Sequence, residues 1–392
     1  MIVPCDSLDF ATLGRPVLPA TGGARARKPR VCFVAPTTYP VLARDRSIRE
    51  VGGAQVQQSF LARGLAERGY SVSMISLNYG QPKTVELDGI TVHRAHAMNE
   101  GLPVIRFVHP NLTSIWDAML QADADIYYQR AAGALTAFMV AFAKRHKRLS
   151  IYAAASDRDF FRPPPHLSNV RDRTLFQWAV RHVDLLVAQT EAQRVSCVRN
   201  FSREPVVIRS CYAHKGRDGS HDGVILWVGN ILPVKRPDLF VELARRLPSY
   251  RFKLVGGRDD SLIEPLRLLA AGLGNIEFTG FVPFADIEQH FDGASLFINT
   301  SLNEGFPNTF LQAWSRGVPT ISMFDPGAWL GSHRVGEVVP DLAAMVEEVQ
   351  ALKSNHETWR LAGTLAKEYF EGNYSIDGAL DSYERQFESA LC

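Results

Sequence analysis

The stretch from Asn299 to Thr320, NTSLNEGFPNTFLQAWSRGVPT, limits what this chain can fold into more than any other. The apolar run Ala294 to Ile298 ahead of it has strand length, Phe310, Leu311, Ala313 and Trp314 fall on one side of a helix, and Val318-Pro319-Thr320-Ile321 reads as a strand again. Gly317 stands where a helix end calls for a residue free to turn left-handed. Strand, glycine loop, helix, glycine, strand is a nucleotide-handling layout within an α/β fold. Pro307 reads as the first helical residue, its ring pre-set for helical φ, so the N–H groups of Asn308, Thr309 and Phe310 are expected to point outward. Such an end attracts anions, and a diphosphate there would be neutralised by amide dipoles without a metal. Gly305 lets the backbone approach a ligand, and the Glu304 carboxylate can grip two hydroxyls. The competing reading is an ordinary loop with a chance Glu-Gly-Phe-Pro.

At 392 residues the chain exceeds one ordinary core and suggests two α/β domains. With 46% hydrophobic and 21% charged residues it has the composition of a soluble globular protein, and it contains no apolar run long enough to span a bilayer. Residues 1–29 read as a loosely held extension without a secretory signal, so a cytoplasmic location is expected. Cys5, Cys32, Cys197, Cys211 and Cys392 are scattered, which argues against a disulfide framework or a zinc site. Charge is divided unevenly. Through Pro205 there are 26 Lys and Arg against 17 Asp and Glu, a net +9, and the remainder has 17 against 24, a net −7. A basic half suits an anionic membrane surface or a lipid diphosphate, and no nucleic-acid-binding module accompanies the charge.

Along the chain, the strand Val31 to Ala35 leads through a polar loop to Gly52-Gly53 and a helix from Ala54 to Arg68, a Rossmann opening. The pair lacks the three spaced glycines of a dinucleotide fingerprint, so a nicotinamide cofactor is disfavoured. Arg130 follows the strand Asp125 to Tyr128 at the edge where open α/β sheets bind ligands; it reads equally as an acceptor or phosphate contact or as a surface cation. Lys144, Arg145, Lys147 and Arg148 end a helix whose dipole they stabilise, and could also face a membrane. Ser156 and Asp157 lie at another strand end, and Thr190 can cap the helix that follows it. After the linker Ser210 to Asp222, a second half opens with the strand Gly223 to Val228 and the turn Gly229, Asn230, with Lys235 and Arg236 beyond. Gly256-Gly257 suits close backbone approach, and Gly280-Phe281 follows the next strand.

In Glu304-Gly305-Phe306-Pro307, and in the Gly229 turn with its Lys235, the chain resembles the retaining glycosyltransferases of family 4, which have the two-Rossmann GT-B fold. The resemblance covers about residues 30 to 390. It implies that Glu304 holds the donor sugar, that the loop amides around Phe306, Pro307, Asn308 and Thr309 and the cation Lys235 hold the diphosphate, and that Phe281 lies by the base. It also implies that Gly52 and Gly53 open toward the cleft. The family pattern has a second Glu where this chain has Gln312, an Arg where it has Asn230, and often a His near Ser156 and Asp157. Arg236 or Arg258 could supply the missing cation. The expected architecture is an extension (1–29), an acceptor domain (30–209), a linker (210–222), a nucleotide-sugar domain (223–373) and a terminal helix (374–392) crossing back to the first domain. The expected function is metal-independent retaining transfer of a UDP- or GDP-sugar to a hydroxyl, without cofactor, on a lipid-linked acceptor or growing polysaccharide at a membrane's cytoplasmic face. A GT-B epimerase, a sugar-nucleotide binding protein that has lost catalysis, and a structural partner of another transferase are the alternatives.

Overall fold

The computed structural model describes residues 27–46, 52–101, 107–213, 216–257, 260–302, 306–325 and 335–391. One sheet contains β1 (Val31–Val34), β2 (Val72–Asn78), β3 (Thr84–Leu87), β4 (Ile90–Ala97), β5 (Ile126–Arg130), β6 (Leu149–Ala153), β7 (Leu185–Ala188) and β8 (Val206–Val207). Its order is β3-β4-β2-β1-β5-β6-β7-β8, parallel apart from the β3–β4 hairpin. The second contains β9 (Ile225–Val228), β10 (Phe252–Val255), β11 (Ile276–Phe278), β12 (Leu296–Asn299), β13 (Thr320–Ser322) and β14 (Gly336–Val338), all parallel in the order β11-β10-β9-β12-β13-β14. Both orders reverse direction beside the first strand of their sheet, the place where open α/β sheets leave a crevice.

Helices cover both faces of each sheet, which is why β1 is apolar along its whole length rather than alternating. Val31 and Phe33 face one core with Leu61 and Leu65 of the helix Gly53–Glu67, while Cys32 and Val34 face another with Met119, Val140 and Phe142. The last helix, Ile376–Leu391, puts Leu380, Tyr383 and Phe387 into the first of these cores, so the chain's end packs on the N-terminal half. Arg68 fastens it with ion pairs to Asp377, Asp381 and Glu384.

The crossings between halves are better built than a linker rich in small and charged residues suggests. Ser210, Cys211 and Tyr212 are buried, and the Tyr212 N–H donates to the Tyr374 carbonyl at 3.0 Å beside a bridge from Tyr212 to Ser375. Outgoing and returning chain thus run side by side. The hairpin strand β3, strand β14, the one-turn helix Tyr39–Leu42 and the helices Asp260–Leu269 and Phe284–Ile287 were not legible in the sequence.

Candidate functional site

The carboxyl ends of β9 and β10 and the start of the helix Asn308–Trp314 face the start of the helix Gly53–Glu67 across a cavity of about 280 Å³. From the N-terminal half come Gly52, Gly53 and Val56; from the C-terminal half Gly229, Asn230, Lys235, Gly256, Phe281, the run Phe306 to Thr309 and Gln312. Close packing of backbone builds its floor. Gly256 has φ +131°, and a Cβ there would lie 1.9 Å from the Gly229 carbonyl oxygen, so the turns after β9 and β10 touch through a position only glycine can fill. The Thr300 hydroxyl donates to the Lys235 carbonyl at 2.7 Å, and the Leu302 N–H to that of Val234 at 2.9 Å. The chain leading into the Glu-Gly-Phe-Pro motif is thereby laced to the turn that carries Lys235.

Pro307 corrects one expectation. It is the residue before the helix Asn308–Trp314, with extended ψ of 122°, rather than the helix's first residue, and its carbonyl accepts from the Phe310 N–H at 3.1 Å. The proline ring fixes φ, here −69°, but leaves ψ free, so Pro307 can precede a helix as well as open it, and the tight first turn uses up one of the three amides expected to point outward. Phe306 stacks on Tyr374, ring centroids 5.1 Å apart at 13°, within a group that includes Phe310 and Trp314. The motif's aromatic side chain therefore anchors the loop to the crossing-back point instead of facing a ligand alone. Glu304, Gly305 and Arg258 lie outside the described residues.

The halves also meet directly. A Cβ on Gly53 would lie 3.0 Å from the Asn308 side-chain nitrogen. Gln57, one helical turn on and buried, clamps the crossing segment: its Nε2 donates to the Cys211 carbonyl and its Oε1 accepts the Cys211 N–H, both at 2.8 Å. The same Nε2 donates to Asn308 Oδ1 at 3.2 Å. Arg46 and Asp286 form a second, exposed bridge at 3.0 Å. Gln57 went unnoticed in the sequence, although a glutamine among the apolar positions of a helix is the signal of a buried polar group with a partner.

Of the remaining candidates, Gln312 is buried on the cavity wall and Asn230 is exposed at its rim. Arg236 caps the helix Pro237–Arg246 with φ +47° and is not among the cavity's lining. Ser156 and Thr190 accept hydrogen bonds as caps, from the N–H groups of Arg158 and Gln193, and Asp157 accepts from Gln193 Nε2. At the edge where the family often has a histidine, the anchor is instead Asp159, buried, accepting from Tyr152 Oη at 2.9 Å and the Ala155 N–H at 2.7 Å, with His166 Nε2 at 3.5 Å. Burial pushes its carboxyl above the usual range. Ser156 and Asp159 form a capping box, a spacing readable in the sequence. Arg130 is only 7% exposed, so the reading as a surface cation does not hold.

The basic cluster at 144–148 is partly neutralised, since Arg148 pairs with Asp123 at 2.6 Å and Asp125 at 3.1 Å. Lys147 and Arg148 line a wide depression of about 1330 Å³ together with Asp125, Glu384 and Glu388, a surface of mixed sign remote from the cleft residues. Burial raises the thiols of Cys32, Cys197 and Cys211 to about 12, which leaves them unreactive at neutral pH. Among the described residues no group of three or more His, Cys, Asp or Glu could hold a metal ion, and no helix is long and apolar enough to cross a membrane.

Two family models match, Glycosyltransferase Family 4 over residues 51–211 and Glycosyl transferases group 1 over residues 222–355. The chain belongs to the family 4 glycosyltransferases. Among curated relatives, the chain is 29% identical over 205 residues to a D-inositol 3-phosphate glycosyltransferase of Mycobacteroides abscessus, covering 46% of the chain and 45% of the relative. It is 23% identical over 354 residues to the mannosylfructose-phosphate synthase of Agrobacterium fabrum, covering 75% of the chain and 76% of the relative. Its matches to the inositol phosphate enzymes span about half their length, 57% in Mycolicibacterium smegmatis. The fold matches sucrose-phosphate synthase from Thermosynechococcus elongatus with a TM-score of 0.71 at 14% identity, over 93% of this chain and 99% of that one. Anabaena HepE, solved in complex with UDP, gives 0.69 at 14% identity over 92% and 100%.

Proposed function

We propose that this glycosyltransferase moves a sugar from a nucleoside-diphosphate sugar to a hydroxyl acceptor with retention of anomeric configuration. The observation that carries the reading is the interdomain cavity, where Lys235 and the start of the helix after Pro307 stand on one side and Gly52-Gly53 on the other. Breaking the anomeric bond leaves negative charge on the outer phosphate, and Lys235 with the Asn308 and Thr309 amides is suited to stabilise it. Glu304 would hold the sugar as it gains oxocarbenium character. Phe281 would border the base and Gln312 would bond the ribose through its amide, with Asn230 and Gly256 shaping the phosphate turn. UDP as the nucleotide is supported by the complexes of HepE with UDP and with UDP-glucose. The acceptor side falls to the N-terminal half, where Arg130, Ser156, Asp157 and Thr190 stand at strand ends. A polysaccharide or lipid-linked acceptor remains the reading of the charge asymmetry, with a membrane held by Lys144, Arg145 and Lys147 more than by the paired Arg148.

No metal or cofactor enters this chemistry as we read it. Release of free nucleoside diphosphate from UDP- or GDP-sugars should require an acceptor and persist in excess EDTA. Activity lost on chelation and restored by Mg²⁺ or Mn²⁺ overturns the metal-independent reading, and acceptor-independent conversion of one nucleotide sugar into another would favour an epimerase.

A further inference from the structure

Arg130 ends β5, the strand beside β1 at the centre of the N-terminal sheet, and its guanidinium is the feature of that half which the donor site does not use. The residue is 93% buried, its Nε has no hydrogen-bond partner, and its Nη2 reaches the Ser210 hydroxyl only at 3.4 Å. Among the described residues no carboxylate pairs with it. Tyr152, Cys211 and Tyr383 lie close enough to interact with its charge, and all three are neutral at physiological pH. A buried cation without an anionic partner is costly, and such a residue is kept when something else supplies the anion.

The backbone around it is fixed as well. Ala131 has φ +81°, a strained conformation for a residue with a Cβ, and it is held there by Gln129, whose Nε2 donates to the carbonyls of Arg130 and Ala131 at 2.9 Å each. Gln129 is itself oriented by the Thr136 hydroxyl at 2.8 Å. The loop 131–133 is partly exposed and runs into the 13-residue helix Ala134–His146, which starts without a side-chain cap and with no acidic residue in its first turn. The site adjoins the donor cavity: Cys211 beside Arg130 is clamped by Gln57, and Gln57 bonds Asn308 on the cavity wall.

We propose that Arg130 is the anchor for an oxyanion carried by the acceptor, a phosphate monoester or a carboxylate, bound at the carboxyl end of β5. This rests on the transferase reading above. The planar guanidinium presents paired donors to such a group, and the uncapped helix start adds amide dipoles nearby. The acceptor is then an anionic sugar or polyol rather than a neutral glycan end.

The test is calorimetric titration of the full chain with orthophosphate and, separately, acetate at constant ionic strength. The protein is first saturated with whichever of UDP, GDP or ADP raises its melting temperature most, so that the donor phosphate site is filled. Orthophosphate should bind the wild type at least tenfold more tightly than Arg130→Gln, with Arg130→Lys between them; an acetate response in its place assigns a carboxylate acceptor. Binding of neither anion to the wild type, or equal binding to the wild type and Arg130→Gln, overturns the proposal. Arg130→Gln should melt no lower than the wild type without ligand, because it removes an uncompensated buried charge, and a clear drop would mark a structural role instead. The nucleotide shift is read independently: its absence in every protein defeats the donor-site reading while leaving the anion comparison intact.

Discussion

Gly256 and Gln312 are single residues on which the donor cavity depends in opposite ways. Gly256 is fixed by sterics, since both its φ of +131° and the 1.9 Å approach of the Gly229 oxygen exclude a side chain. Gly256→Ala should cost on the order of 3 kcal/mol by chemical denaturation; a cost under about 1 kcal/mol would mean that the two turns can separate freely. Gln312 is fixed by chemistry. It is buried on the cavity wall, where an amide can bond ribose hydroxyls but more weakly than a carboxylate. Gln312→Glu should tighten nucleoside diphosphate binding by about 1 kcal/mol, the step from a neutral to a charge-assisted hydrogen bond. Weaker binding would show a pocket built around the amide. Glu304→Gln, an isosteric change, should remove most turnover and leave the melting temperature unchanged; near-normal turnover would move the sugar-holding role elsewhere.

At the level of elements, the helix Gly53–Glu67 links the crossing segment to the motif helix through Gln57. Gln57→Ala strands the Cys211 N–H and carbonyl in a buried place and should cost about 2 kcal/mol or more. Its kcat/KM should fall as well, because Asn308 loses its tie to the other half. Unchanged stability and activity in that variant would remove Gln57 from the account. This element also shows what was legible. The apolar spacing of Val56, Leu61 and Leu65 and the glycine stops gave the helix and its place in a Rossmann unit, because such signals are local. A glutamine among apolar positions signals that Gln57 is buried with a partner, but that partner, like the two ends of the Tyr212–Ser375 bridge, lies far along the chain, and no local pattern names it. Strand β3 is short, sits at an edge and pairs with its neighbour in a hairpin, so it lacks the continuous apolar run that marks the buried strands. Pro307 was displaced by one position because helix starts are the least determined part of a sequence pattern.

Across the whole molecule, two oppositely charged halves are joined through buried crossings, and their stability should respond to acid. Arg30 holds the carboxyls of Asp125 and Asp123 below the usual range by hydrogen bonding, at the start of β1 and β5. A depressed folded pKa contributes stability that is complete above the unfolded value of about 4 and is lost as the pH falls through the folded one. Arg30→Gln should therefore lower the melting temperature at pH 7 and flatten its decline below about pH 4; an unchanged acid profile would deny that pair its role. The central claim is that the interface of the halves is a nucleoside diphosphate site. The most direct measurement is thermal melting of the full chain with UDP, GDP and ADP, for the wild type and for Lys235→Ala. One nucleotide should raise the wild-type melting temperature by several degrees and Lys235→Ala should lose most of that shift, because binding to the native state stabilises it by mass action. No shift with any of the three, or an equal shift in Lys235→Ala, would contradict the account.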